Sequence, residues 1–110
     1  MLPVSVPSVA AGQVPREARI LDVRERDEWD AGHIEGALHI PLSDVPARLD
    51  DLVGADQFVV VCRSGGRSAQ AVAWLARNGV EALNLAGGMG AWAAAGRPMV
   101  SESGTEPFVR

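Results

Sequence analysis

At 110 residues the chain has room for one domain with a modest core, and 47% hydrophobic with 22% charged residues is the balance of an ordinary globular protein. The formal net charge is −4, with ten arginines as the only basic side chains besides histidine, so nothing points to nucleic acid; a local anion site stays open, because exposed charges beyond about 8 Å are largely screened at physiological salt. A single cysteine rules out an internal disulfide, and no apolar run approaches the ~20 residues of a membrane span, so no membrane association and a cytoplasmic setting are expected.

Residues 1–17 are interrupted by Pro3, Pro7 and Pro15. Residues 2–6 are compatible with a short edge strand, where proline is tolerated. Ser8 is placed to cap a helical turn running to Gly12. Residues 18–23, A-R-I-L-D-V, read as a buried strand. Residues 24–31 are charged and helix-compatible, with Trp29 as the inward anchor. A loop over 32–37 leads to a brief strand at 38–40, which Pro41 stops. Ser43 is placed to cap a helix over 45–52 with Pro46 in its first turn. Residues 54–57 then return the chain to its most apolar stretch.

That stretch, residues 58–61, is F-V-V-V, a buried strand rich in β-branched side chains. Cys62 stands where it ends, followed by Arg63, Ser64, Gly65, Gly66, Arg67 and Ser68. From Ser68, apolar residues at Ala69, Val72, Ala73, Leu75 and Ala76 have helical spacing, and Asn78-Gly79 tolerates a left-handed helix end. Residues 80–85 form another short strand, Gly87-Gly88 opens a last helix through Ala95, and residues 96–98 close the fold. The domain is thus expected over residues 1–98, with 99–110 as a loose, flexible Ser/Gly/Glu-rich tail. Strands alternating with helices imply an α/β fold with a mainly parallel sheet. Ligands in such sheets gather beyond the carboxyl ends of strands. Asp22 and Cys62 both lie near such ends and are expected to be close.

A strand, a glycine-bearing loop and a helix N-terminus line up backbone N–H groups into a nest that binds anions. A thiol held there has its thiolate stabilised and its pKa lowered. A lone cysteine after three valines could equally be core, but R-S-G-G-R does not continue a core strand. Cys62 is therefore the candidate nucleophile, and Arg63, Ser64, Gly65, Gly66, Arg67 and Ser68 form the candidate anion-binding loop. Asp22 and Arg24 are read as ties between loops beneath it. His33 is read as a hydrogen-bonded structural histidine, and His39 has no evident partner. One cysteine and two histidines at these separations make no zinc pattern. Trp29, Trp74 and Trp92 are read as packing residues. The glycine loop lacks the spacing and the lysine of a nucleotide-binding P-loop.

Four motifs resemble the rhodanese-like sulfurtransferase family: Leu21-Asp22-Val23-Arg24-Glu25; Gly32-His33-Ile34-Glu35-Gly36-Ala37 with Ile40-Pro41; Cys62-Arg63-Ser64-Gly65-Gly66-Arg67-Ser68; and Gly87-Gly88-Met89-Gly90-Ala91-Trp92 with Gly96 and Pro98. They occur in the family's order over roughly residues 4–98. The resemblance implies a five-stranded, mainly parallel sheet flanked by helices. It further implies that Cys62 takes a sulfur from thiosulfate or a persulfide donor, becomes a persulfide, and passes the sulfur to cyanide or a thiol. No cofactor is implied. Within it, Arg67 closes the loop with Ser68, and Arg63 faces the pocket mouth. Two alternatives stand beside this reading. One is a sulfur-relay or binding module whose acceptor is a partner protein. The other is a cysteine-based phosphatase or arsenate reductase, which needs five residues between cysteine and arginine where this loop has four.

Overall fold

The structure is a computed structural model that describes residues 6–54 and 56–110. Five strands form one parallel sheet: β1 (Ser8–Val9), β2 (Arg19–Asp22), β3 (Leu38–His39), β4 (Phe58–Val61) and β5 (Ala82–Leu85), in the spatial order β1-β5-β4-β2-β3. Among the described residues three α-helices accompany them, α1 (Arg26–Ala31), α2 (Gly66–Arg77) and α3 (Gly88–Ala94). The expected α/β class and five-stranded parallel sheet are what the chain adopts. No helix among the described residues is long and apolar enough to cross a membrane.

β4 is the centre because it is apolar on both sides. A parallel strand flanked by helices buries both faces, and its side chains alternate between them. Phe58 and Val60 pack with Ala71, Val72 and Leu75 of α2, whereas Val59 and Val61 pack with Met89 and Trp92 of α3. Cys62 continues the Phe58–Val60 row and belongs to the α2-side cluster. β2 lies in register beside β4, Leu21 opposite Val60 and Asp22 opposite Val61.

Local structure departs from expectation in three places. The edge strand read over 2–6 lies outside the described residues except for Val6. Ser8 does not cap a helix: it pairs with Asn84 in β1, its hydroxyl donates to the Val6 carbonyl, and a 3-10 turn follows at Ala11–Gln13. The helix read over 45–52 is instead two 3-10 stretches, Leu42–Asp44 and Pro46–Asp51, without a cap from the Ser43 side chain. Pro46 stands at the first position of the second stretch, where its missing N–H costs nothing.

The third departure is the C-terminal stretch, expected as a loose tail. Val100 exchanges two backbone hydrogen bonds of 2.8 Å with His33. Glu102 N–H donates to Asp30 O and Phe108 N–H to Ala31 O, while Met99 and Val109 pack against the α3-side cluster. A Cβ on Gly32 would come within 2.6 Å of Phe108 O and 2.8 Å of Phe108 N, so only glycine admits the stretch this close. These are backbone attachments, which a Ser/Gly-rich composition does not advertise.

Candidate active site

The Cys62 loop is clamped between the starts of two helices. On one side Met89 N–H donates to Cys62 O at 2.8 Å and Gly90 N–H to Arg63 O at 3.0 Å, so the first turn of α3 holds the loop's carbonyls. Gly88 makes this approach possible: its φ is +62°, and a Cβ there would meet Cys62 O and lie 2.6 Å from the Arg63 carbonyl carbon and oxygen. On the other side Gly65, with φ +109°, turns the chain into α2 and donates its N–H to Cys62 Sγ at 3.1 Å. Ser68, one turn into α2, puts its hydroxyl 3.2 Å from the same sulfur.

Cys62 is 1% exposed and lies among these donors. Burial pushes the thiol up, but hydrogen bonds from the Ser68 hydroxyl and from the backbone N–H groups of Ser68, Gly65 and Ser64 outweigh it, leaving the pKa below that of an ordinary cysteine. Alkylation of the native protein by iodoacetamide should therefore be fast near neutral pH, with a midpoint below the ~8.5 of free cysteine. A midpoint at or above that value would remove the basis for an activated thiol.

The Arg67 guanidinium is held by a carboxylate. Its two terminal nitrogens each donate to Glu28 of α1 at 2.8 Å, a bidentate pair. Glu28 also accepts the Glu25 N–H at 3.0 Å, forming the capping box of α1. The Glu28 carboxyl is held below the usual carboxylate range, chiefly by the Arg67 hydrogen bond against an opposing desolvation effect, with the Glu25 N–H adding to it. Its stabilising effect is complete above the unfolded pKa of about 4.3 and is lost as pH falls through the lower folded value. Glu28→Gln should flatten the acid limb of a urea-stability profile and lower stability near neutrality by less than about 1 kcal/mol, because the pair is partly exposed. An unchanged acid limb would show that the pair does not support the fold.

Arg63 is exposed, with Nε donating to Arg110 O at 3.0 Å. Asp22 and Arg24, both 0% exposed, form a buried ion pair at 2.7 Å. Arg24 also donates to the carbonyls of Glu28 and Gly32, so the pair ties the end of β2 to α1 and the glycine that ends it. Asp22 lies next to Val61 in register, but its carboxylate is turned to Arg24. His33 Nδ1 is 2.9 Å from Trp29 O, a structural histidine as read. His39 does have partners: Nε2 is 2.8 Å from Arg24 O, and its ring stacks on Trp29, whose indole also stacks on His33. Trp92 is buried and donates to Pro98 O, and Trp74 is partly buried against the α2-side cluster.

Two residues of the site escaped the sequence reading. Glu28 had a usable signal in its spacing of three from Glu25. Asn84 had one too, a polar residue two positions after Ala82 on the inward row of β5. Asn84 is 7% exposed; its Oδ1 lies 2.5 Å from Ser68 Oγ, and its Nδ2 donates to Gly65 O at 3.1 Å.

A family description, the rhodanese-like domain, matches residues 8–95. A protein of Allochromatium vinosum named sulfurtransferase is 40% identical over 86 residues, covering 77% of this chain and 80% of its own. Among solved structures, a rhodanese-related protein from Thermoplasma volcanium superposes with a TM-score of 0.82 at 31% identity, covering 86% of this chain and 98% of that one. A thiosulfate sulfurtransferase from Pseudomonas aeruginosa gives 0.78 at 28% identity, covering 92% of this chain but 20% of that one.

Proposed function

The chain belongs to the rhodanese-like family, and from that premise we propose that it is a sulfurtransferase working through a persulfide on Cys62. The observation that carries the reading is the convergence of the Gly65 N–H and the Ser68 hydroxyl on one buried sulfur at the end of β4.

In the first half-reaction the Cys62 thiolate attacks the outer sulfur of thiosulfate or of a low-molecular-weight persulfide. A new S–S bond forms, the donor's S–S bond breaks, and sulfite or a thiolate leaves with the electron pair. The negative charge then resides on a terminal sulfur about 2.05 Å beyond Cys62 Sγ, within the nest of loop amides. In the second half-reaction cyanide, a small thiol or a partner protein's thiol attacks that terminal sulfur, and the Cys62 thiolate returns. Arg63 at the mouth favours anionic donors, and Ser64, Gly65, Gly66, Arg67 and Ser68 shape and close the cradle.

This chain has no second cysteine to resolve the persulfide internally, so the sulfur leaves to an external acceptor. That chemistry suits the thiol-rich cytoplasm and requires neither nucleic acid nor a membrane. A phosphatase role is disfavoured by the four-residue spacing and by the engagement of the Arg67 guanidinium with Glu28, which takes it away from an incoming oxyanion. The protein should show no Cys62-dependent hydrolysis of an aryl phosphate.

The direct test is intact mass spectrometry after incubation with thiosulfate. One sulfur should be added to the native protein and none to Cys62→Ser. The adduct should persist in anaerobic buffer and disappear, with release of thiocyanate, when cyanide is added. A native protein that gains no sulfur from thiosulfate or from a glutathione persulfide would refute the proposal.

A further inference from the structure

The Ser68 hydroxyl has one proton and two acceptors within reach, Asn84 Oδ1 at 2.5 Å and Cys62 Sγ at 3.2 Å. The Asn84 amide cannot turn round to relieve this competition. Its Nδ2 donates to Gly65 O, and the opposite orientation would set two carbonyl oxygens against each other. Its backbone is equally fixed, because β5 lies between β1 and β4, Asn84 pairing with Ser8 on one side and Val60 on the other. A buried asparagine on a central strand thus presents a fixed acceptor to the hydroxyl that serves the reactive sulfur.

We infer that Asn84 is a positioning residue for sulfur transfer, its carbonyl and the Cys62 sulfur holding the Ser68 proton in alternation. When Cys62 is a thiol or a persulfide, Sγ carries no charge and the proton lies on Asn84. When Sγ is a thiolate, before attack on the donor and again as the acceptor removes the outer sulfur, the hydroxyl rotates to the sulfur and the Asn84 carbonyl loses its partner. The Ser68 O–H bond never breaks. Only the acceptor changes, so no acid, base or co-reactant is needed.

The consequence is a restraint on the thiolate. The loop N–H groups stabilise the anion, while Asn84 withholds part of the hydroxyl's contribution. The restraint matters for a sulfur that must both attack and leave: a thiol whose pKa falls too far below ambient pH loses nucleophilicity, and one too high leaves slowly. The charged groups around Cys62 are few. Arg63 is in the loop, Arg67 on α2 is tied to Glu28 of α1, and Asp22 and Arg24 of the β2 region are paired with each other. α3 and β5 carry no ionisable side chain.

The inference rests on the persulfide reading, but its test needs no sulfur donor. The pH dependence of iodoacetamide alkylation is measured on four full-length proteins: native, Ser68→Ala, Asn84→Leu and the double variant. Ser68→Ala should raise the thiol midpoint. Asn84→Leu should lower it by about half a unit to one unit, the scale of one neutral hydrogen bond. In the Ser68→Ala background, Asn84→Leu should leave the midpoint where Ser68→Ala alone puts it. A midpoint that rises or stays put in Asn84→Leu, or one that falls equally with and without Ser68, overturns the inference. If Asn84→Leu does not fold, Asn84→Ala carries the same comparison. Because alkylation reads the thiol alone, failure of the native protein to accept sulfur would refute the proposed function without altering this result.

Discussion

Cys62→Ser will reduce thiocyanate formation from thiosulfate and cyanide to background, a loss on the order of 10³-fold or more, the scale seen when a covalent nucleophile is removed. A serine hydroxyl in the same cradle ionises far less than a thiol and cannot carry a sulfane sulfur. The fold should survive, because the hydroxyl can accept the same Gly65 N–H at a buried position of nearly equal shape. Thermal unfolding should move by the equivalent of about 1 kcal/mol, ordinary for a single substitution. Substantial turnover by the variant would show that sulfur passes through some other group.

Gly88→Ala should be the most disruptive single methyl addition at the site. The added carbon would meet the carbonyl oxygen of Cys62 and the carbonyl group of Arg63, all backbone that cannot swing aside. The residue would also have to hold a left-handed φ of +62°. Strain of about 1–3 kcal/mol from that backbone angle and a further 1–3 kcal/mol, roughly, from overpacking predict a loss of about 2–6 kcal/mol. Sulfur transfer should fall with it, because the Met89 and Gly90 N–H groups that hold the loop would be pushed off. The control is Gly36→Ala, which has a similar positive φ but open space around its Cβ; it should lose only the backbone portion and keep activity. Equal losses at both positions would mean that the contact with the Cys62 loop contributes nothing.

Much of the site was legible before any coordinates because its signals are local. F-V-V-V followed by C-R-S-G-G-R-S is a strand, a turn and a helix start within eleven residues, and the nest follows from that order alone. The structure puts Cys62, Gly65 and Ser68 together as that order requires. What was not legible comes from outside the stretch. Asn84 reaches Ser68 through the pairing of β5 with β4, and Glu28 reaches Arg67 from a helix 39 residues away. Neither partner can be located without the sheet order. The 45–52 segment looked α-helical because hydrophobic spacing hardly separates α from 3-10 over two turns. The 99–110 stretch escaped notice because its attachments are made by backbone groups that every sequence possesses.

The clamp on the loop has a temporal side as well. Several supports of the loop lie downstream of Cys62 in the chain: Asn84 on β5, Gly88 to Gly90 at the head of α3, and Arg110, whose carbonyl receives Arg63. Synthesis proceeds from the N-terminus, so the cysteine is made before the residues that hold its loop. A chain halted after residue 80 would carry the cysteine but none of these supports. Its thiol should then react like that of an unstructured peptide. The reactivity of Cys62 thus reports the presence of β5 and α3, and alkylation of released, purified chains of increasing length would read it.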